Sequence, residues 1–212
     1  MIIIDDIDQG TPEWDALRIG NPGASSMNRI VTTKGLPSAS ADKYLNELFD
    51  EIILDRKTPT YSSYRMQEGI ENEIHSVQDY EFKYGVEIKR VALCYKDEQK
   101  LFHCSPDGLI IELEQGFETK DALPHIQRER LKKGTLPMEH FTQVQASLYV
   151  TGYKSWVFQS YCQNMPTLTL TVYPDLEFIK KMESELFKFI GKLMIMVKEA
   201  IGISLYELAQ KL

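Results

Sequence analysis

The spacing of apolar residues first changes character between Tyr84 and Val86, and that change limits the folds open to this chain. Before it, apolar side chains recur at helical steps. Tyr44, Leu45, Leu48, Phe49, Ile52 and Ile53 make one stripe over 41–56, and Met66, Ile70, Val77, Tyr80 and Tyr84 make another over 62–84. Such stripes mark amphipathic helices. Thr11 followed by Pro12 predicts an earlier, short helix that ends near Ile19-Gly20, with a capping hydroxyl and proline in the first turn. A further helix is predicted from Ala24 to Gly35. After the change, Val86, Ile88, Val91, Leu93 and Tyr95 alternate as a strand does, and Leu101–Cys104, Gly108–Leu113 and Phe117–Asp121 extend the pattern. Then come a helix over 138–151, strands at Trp156–Tyr161 and Leu168–Tyr173, and a long helix over 175–200. Helices, strands, a helix, two strands and a helix predict an α/β (α+β) domain with a central mixed sheet flanked by helices. No repeat or linker divides the chain, so 1–212 reads as a single domain.

The chemistry concentrates in Ser105-Pro106-Asp107-Gly108 and Glu118-Thr119-Lys120. Side chains alternate along a strand, so Glu118 and Lys120 share a face while Thr119 points away. A hairpin would bring Asp107, at the head of the preceding strand, beside them. Two carboxylates and a lysine at one spot suit Mg²⁺, a hard ion that takes oxygen ligands and keeps several waters. The Thr119 backbone carbonyl is a candidate third ligand. An ammonium beside carboxylates stays charged, which favours an electrostatic role for Lys120 over a role as base. Taken alone, the same residues also fit a plain turn followed by a cross-strand ion pair.

Glu73 falls within the apolar stripe of 62–84, where a carboxylate is costly unless paired or bound to metal. A glutamate at the edge of that face is the simpler alternative. Gln145 and Tyr149 share a face of the 138–151 helix and are candidates for holding a phosphate or a metal-bound water, or else semi-buried polar residues of a core helix.

Five elements in order resemble the lambda-type phage alkaline exonucleases, the YqaJ-like viral recombinase family of PD-(D/E)xK nucleases. They are Trp14–Gly20 leading to Ala24-Ser25, Met66–Glu73, Cys104–Gly108, Glu118–Lys120, and Gln143–Gln145 running on to Tyr149–Gly152. The resemblance implies a restriction-endonuclease-like core and dependence on Mg²⁺ (or Mn²⁺). It also implies digestion of the 5′-ended strand of linear duplex DNA, a homotrimeric ring, and delivery of 3′ overhangs to a single-strand annealing protein in the bacterial cytoplasm hosting a phage or prophage. By the same resemblance Asp107 and Glu118 hold the metal, Lys120 is the catalytic lysine, and Glu73 assists directly or through water. Gln145 and, less closely, Tyr149 match the motif after the core. Arg18 and Ser25 match the residues that hold the 5′ phosphate. Physical sense supports that pair, since a forked cation and backbone N–H groups at a helix start suit an anion. Two positions depart from the family pattern. Thr119 stands where an apolar residue is usual, and Asp121 where a cysteine is frequent.

Other features trim the alternatives. Cys94, Cys104 and Cys162 are odd in number and lack CxxC spacing, which disfavours a disulfide framework, a zinc site or an iron–sulfur nuclease. The four histidines show no ligand spacing, and His103 reads as a plain strand residue. Trp14 and Trp156 read as core, with packing beside an entering DNA end the alternative for Trp14. No apolar run reaches the roughly 20 residues that span a bilayer, and the first residues do not read as a secretory signal. A net charge of −7 argues, by itself, against nucleic acid, unless the basic residues gather in one channel. The basic stretch 121–138 is either a segment that touches DNA phosphates or a solvated connection. A structure- or site-specific endonuclease on the same core, or a non-catalytic DNA-end-binding factor, are the competing functions.

Overall fold

The computed structural model describes residues 1–58 and 64–202, apart from the side chains of 64–68, 70 and 71. Most of the Met66–Glu71 side chains read in the sequence therefore lie outside the described residues.

Among the described residues, seven strands form two sheets. β1 (Ile2–Ile4), β2 (Leu93–Tyr95) and β3 (His103–Cys104) make a small antiparallel sheet. β4 (Gly108–Ile110), β5 (Gln115–Asp121), β6 (Ser155–Tyr161) and β7 (Leu168–Val172) make the larger mixed sheet. β4 and β5 are an antiparallel hairpin with Gly108 opposite Phe117, and β6 lies parallel to β5. A parallel pair needs a crossover. Here it is supplied by α4 (Pro124–Lys133) and α5 (Met138–Thr151). β6 is central and buried almost throughout, with Trp156 and Phe158 wholly inside, as expected of a strand covered on both faces.

The remaining helices are α1 (Pro12–Ala16), α2 (Ala41–Leu54), α3 (Tyr64–Tyr84) and α6 (Leu176–Ile201). On α6, Phe178, Met182, Leu186, Leu193 and Val197 are buried, a stripe at helical spacing facing α2 and α5. Tyr44 of α2 stacks on Phe189 at 5.6 Å. A smaller apolar cluster, including Val77, Tyr80, Ile88 and Phe117, lies between α3 and the large sheet. No described helix is long and apolar enough to cross a membrane.

Several boundaries differ from expectation. Residues 24–29 are a short 3-10 helix, because the chain doubles back through a bridge between Val31 and Pro37 with Gly35 at φ +76°. α1 stops at Ala16 and continues as turns to Gly20. Residues 86–95 serve two sheets. Lys89 bridges Leu109, the chain bends, and only Leu93–Tyr95 forms a strand. β4 ends at Ile110 in a 3-10 turn, so β5 starts earlier than read, at Gln115. β1 lies outside the predicted elements, and residues 124–133 of the basic stretch form α4. Trp14 is part-exposed, donates its indole N–H to Ala92 C=O at 2.9 Å and lines a cleft.

Candidate active site

The hairpin register sets the site. Because Gly108 faces Phe117, Asp107 falls opposite Glu118, and its Oδ2 accepts the Thr119 backbone N–H at 2.6 Å. Gly108 is needed for this approach. A Cβ there would meet Cγ2 of Ile88 at 2.1 Å, where the 86–92 segment crosses. Within a strand, the N–H and C=O of one residue leave on the same side. The Thr119 carbonyl therefore opens on the edge of β5 where its N–H meets Asp107.

Glu118 is almost fully buried, ion-pairs with Lys120 and accepts the Gln143 amide N–H at 2.6 Å. Lys120 keeps 31% of its side chain exposed. Glu73 of α3 faces the same place, with Arg90 at 3.7 Å. A cleft of about 540 Å³ lies beside them, with Asp107 and Glu73 on its wall together with Arg90, Trp14, Asp5 and Ile7–Gly10.

The electrostatics are those of crowded carboxylates. Burial, reinforced by the Glu118 charge and opposed by Lys120, pushes the Asp107 carboxyl well above its usual range. Burial likewise raises Glu73, against the pull of Arg90 and with a push from Glu118. Burial alone would depress the Lys120 ammonium, but Glu118 and Asp107 outweigh it and hold it above lysine's ordinary value. The cluster is short of positive charge at its centre, which is what a divalent cation would relieve. Among the described residues no three His, Cys, Asp or Glu side chains form a ready-made metal cage. Mg²⁺ takes only one or two protein carboxylates and completes its shell with water and phosphate oxygens. Asp107, Glu118 and the Thr119 carbonyl fit that demand.

The other predicted residues separate. Gln145 is buried and spent on the backbone, donating to Tyr173 C=O at 3.0 Å and accepting from Asp175 N–H at 2.8 Å. Gln143 reaches Glu118 instead. Tyr149 donates to Glu183 of α6 at 2.8 Å and lies under Lys96. Arg18 stacks on Trp14 at 3.5 Å, is 21% exposed and touches Asp15 at 3.4 Å. Ser25 is exposed in the 24–29 turn. His103 is buried against Asn21.

Sequence reasoning missed several participants. Glu51, buried, accepts the N–H groups of Gly20 (3.1 Å) and Thr58 (3.2 Å) and pairs with Lys57 at 2.7 Å, which ties the Arg18 turn to α2. It stands three residues after Leu48 and seven after Tyr44, so its place at the edge of the 41–56 stripe was a signal of burial. Arg90 gave none. Ser105 was visible within its motif, and its Oγ is buried without a hydrogen-bond partner among the described residues.

Residues 13–154 match the model of the YqaJ-like viral recombinase domain. The chain belongs to that family. Among solved structures it is similar to an alkaline exonuclease, LHK-Exo from Laribacter hongkongensis, with 26% identity and a TM-score of 0.79, covering 89% of this chain and 95% of that one. The same enzyme in complex with dAMP matches with a TM-score of 0.80 at the same identity and coverage. A phage-related exonuclease from Haemophilus somnus 129PT shares the fold at 13% identity, with a TM-score of 0.65 over 84% of this chain and 96% of that one. Comparison with the curated proteins returned no match.

The match makes this YqaJ-like protein an alkaline-exonuclease-like nuclease in family and in fold, as the resemblance implied. The two departures from the family pattern are both engaged here. The Thr119 hydroxyl meets Ser76 at 2.7 Å, and Asp121 accepts from Asn72 at 2.8 Å.

Proposed function

We propose that the chain is a Mg²⁺-dependent exonuclease that hydrolyses the 5′-ended strand of linear duplex DNA and leaves 3′ overhangs for recombination. The observation that carries this reading is the meeting of Asp107, Glu118 and Lys120 at the β4–β5 hairpin, with Asp107 and Glu73 on the wall of a cleft. Asp107, Glu118 and the Thr119 carbonyl would hold the ion, with Glu73 close by. When bound, Mg²⁺ (or Mn²⁺) lowers the pKa of a water and offsets charge on the scissile phosphate.

The protein's own contribution is positioning. Gln143 fixes the Glu118 carboxylate through its amide. Lys120 keeps its proton at Nζ beside Glu118 and presents a full charge toward a phosphate. Arg18, backed by Trp14 and by the Glu51–Lys57 pair, offers a fixed guanidinium for a terminal 5′ phosphate, with Ser25 as a surface hydroxyl in the following turn. Tyr149 keeps a DNA-contacting role in this proposal only at a distance from the carboxylates. The partners are duplex DNA ends, further copies of the chain as a trimeric ring, and a single-strand annealing protein.

The test is digestion of linear duplexes with and without a 5′ phosphate, alongside nicked and covalently closed circles, in Mg²⁺ and then EDTA. Expected are loss of the linear 5′-ended strand, arrest by EDTA, and intact closed circles. An Arg18→Ala variant should slow phosphorylated ends selectively. Cutting of closed circles would move the site to an endonuclease, and inertness on every substrate would leave only DNA-end binding.

A further inference from the structure

α3 is locked to β5 at three successive levels. Tyr80 packs edge-on against Phe117 at 5.1 Å, Ser76 Oγ meets Thr119 Oγ1 at 2.7 Å, and Asn72 donates to Asp121 Oδ1 at 2.8 Å. The strand residues advance by two while the helix residues retreat by four. One step along a strand is about 6.6 Å and one along a helix about 6 Å, so the two ladders stay in phase over the whole contact. The middle rung is buried and directional. Ser76 Oγ donates to Gln159 Oε1 at 2.6 Å and is left to accept from Thr119, while the Gln159 amide N–H continues to Thr169 at 3.1 Å. Thr119, Gln159 and Thr169 are cross-strand neighbours, so one polar row ties α3 to three strands of the sheet.

Glu73 follows Asn72 directly and lies one turn before Ser76, on the flank of the helix that faces the cleft. Its distance from Asp107 and Glu118 is therefore set by how α3 is registered on β5.

We infer that Ser76 and Asn72 are positioning residues, which hold the Glu73 carboxylate against the Asp107–Glu118 pair by fixing the register of α3 on β5. The inference rests on the proposed metal site. Its test is calorimetric titration of the full chain with Mn²⁺ alone, in the parent, Ser76→Ala, Asn72→Ala, Ser76→Ala with Thr119→Val, and Asp107→Ala. Partners behind metal ligands change affinity by about tenfold or more, and about tenfold weaker Mn²⁺ binding is expected of each single clamp variant. In duplex digestion the same variants should lower kcat and leave KM unchanged. The double variant removes both hydroxyls and still leaves Gln159 Oε1 without its donor, so it should bind Mn²⁺ no more tightly than Ser76→Ala. Asn72 lies at the part-exposed end of the ladder, so its variant folds even if burial makes Ser76→Ala unstable. If both single variants bind Mn²⁺ as the parent does while Asp107→Ala does not, the positioning role is overturned and the metal site stands. If Asp107→Ala binds as well as the parent, the site itself fails and the inference with it.

Discussion

At the scale of single residues, Lys120 carries the most direct expectation. It is held charged by Glu118 and Asp107, so Lys120→Ala should abolish cleavage while duplex binding, measured by fluorescence anisotropy in Ca²⁺, is largely kept. Near-parental digestion by that variant would end the assignment. His103 makes a different prediction. It is fully buried, and burial with the nearby charges of Arg18 and Lys57 depresses it from 6.5 to about 3. The unfolded chain therefore binds a proton below pH 6.5 that the folded chain refuses until about pH 3. Stability from this group is complete above pH 6.5 and falls on acidification, by up to about 1.4 kcal/mol per pH unit. His103→Gln should flatten that part of a melting-temperature profile between pH 6 and 4; an unaltered slope would show that other groups set it. At this scale, what the sequence made legible was which side chains converge. Asp107, Glu118 and Lys120 were readable because a strand has a strict two-residue period and a hairpin has few geometries. Gln143 and Gln145 were not separable. They point to nearly opposite sides of α5, and α5 is buried on most of its circumference, so no polar face told which side met the sheet.

At the scale of elements, the hairpin depends on two positions without a side chain. A Cβ at Gly116 would lie 2.1 Å from the Trp156 ring, which is wholly buried and cannot swing aside. Gly116→Ala should cost about 1–3 kcal/mol by overpacking, or roughly 2–4 °C of melting temperature per kcal/mol for a chain of this size. Gly108→Ala meets Ile88 as closely but sits next to Asp107. It should lose activity beyond what its loss of stability explains, and a matched loss in the two variants would refute that. The long helices and the strands of the large sheet were legible because each carries a whole stripe or alternation. β1 was not, since three isoleucines in a row have no period. α4 was not, because it is anchored by polar contacts, Gln127 to Ser160 and Pro166 carbonyls and Arg130 to Ser160 Oγ, instead of an apolar face. The row through Thr119, Gln159 and Thr169 was invisible for the same reason. Sequence patterns report burial of apolar groups, and this contact is made of hydrogen bonds.

At the scale of the whole molecule, the acidic balance has to be reconciled with a polyanionic substrate. Much of the acid is internal or paired. Glu118 and Glu51 are buried against lysines, and Glu47, Glu114 and Glu139 sit in ion pairs. The basic residues of α4, including exposed Arg128, Lys132 and Lys133, follow directly on the strand that bears Lys120. A ring would join such faces around one duplex, so light scattering should give three times the 24.5 kDa protomer; a monomer at working concentration would exclude the ring. Gln145 also joins two parts of the fold. By gripping both Tyr173 and the first turn of the last helix, it splices the C-terminal rod to the same shaft that carries Gln143. Gln143, two residues earlier on that helix, holds Glu118, so a single helix joins the start of the last helix to the proposed metal site.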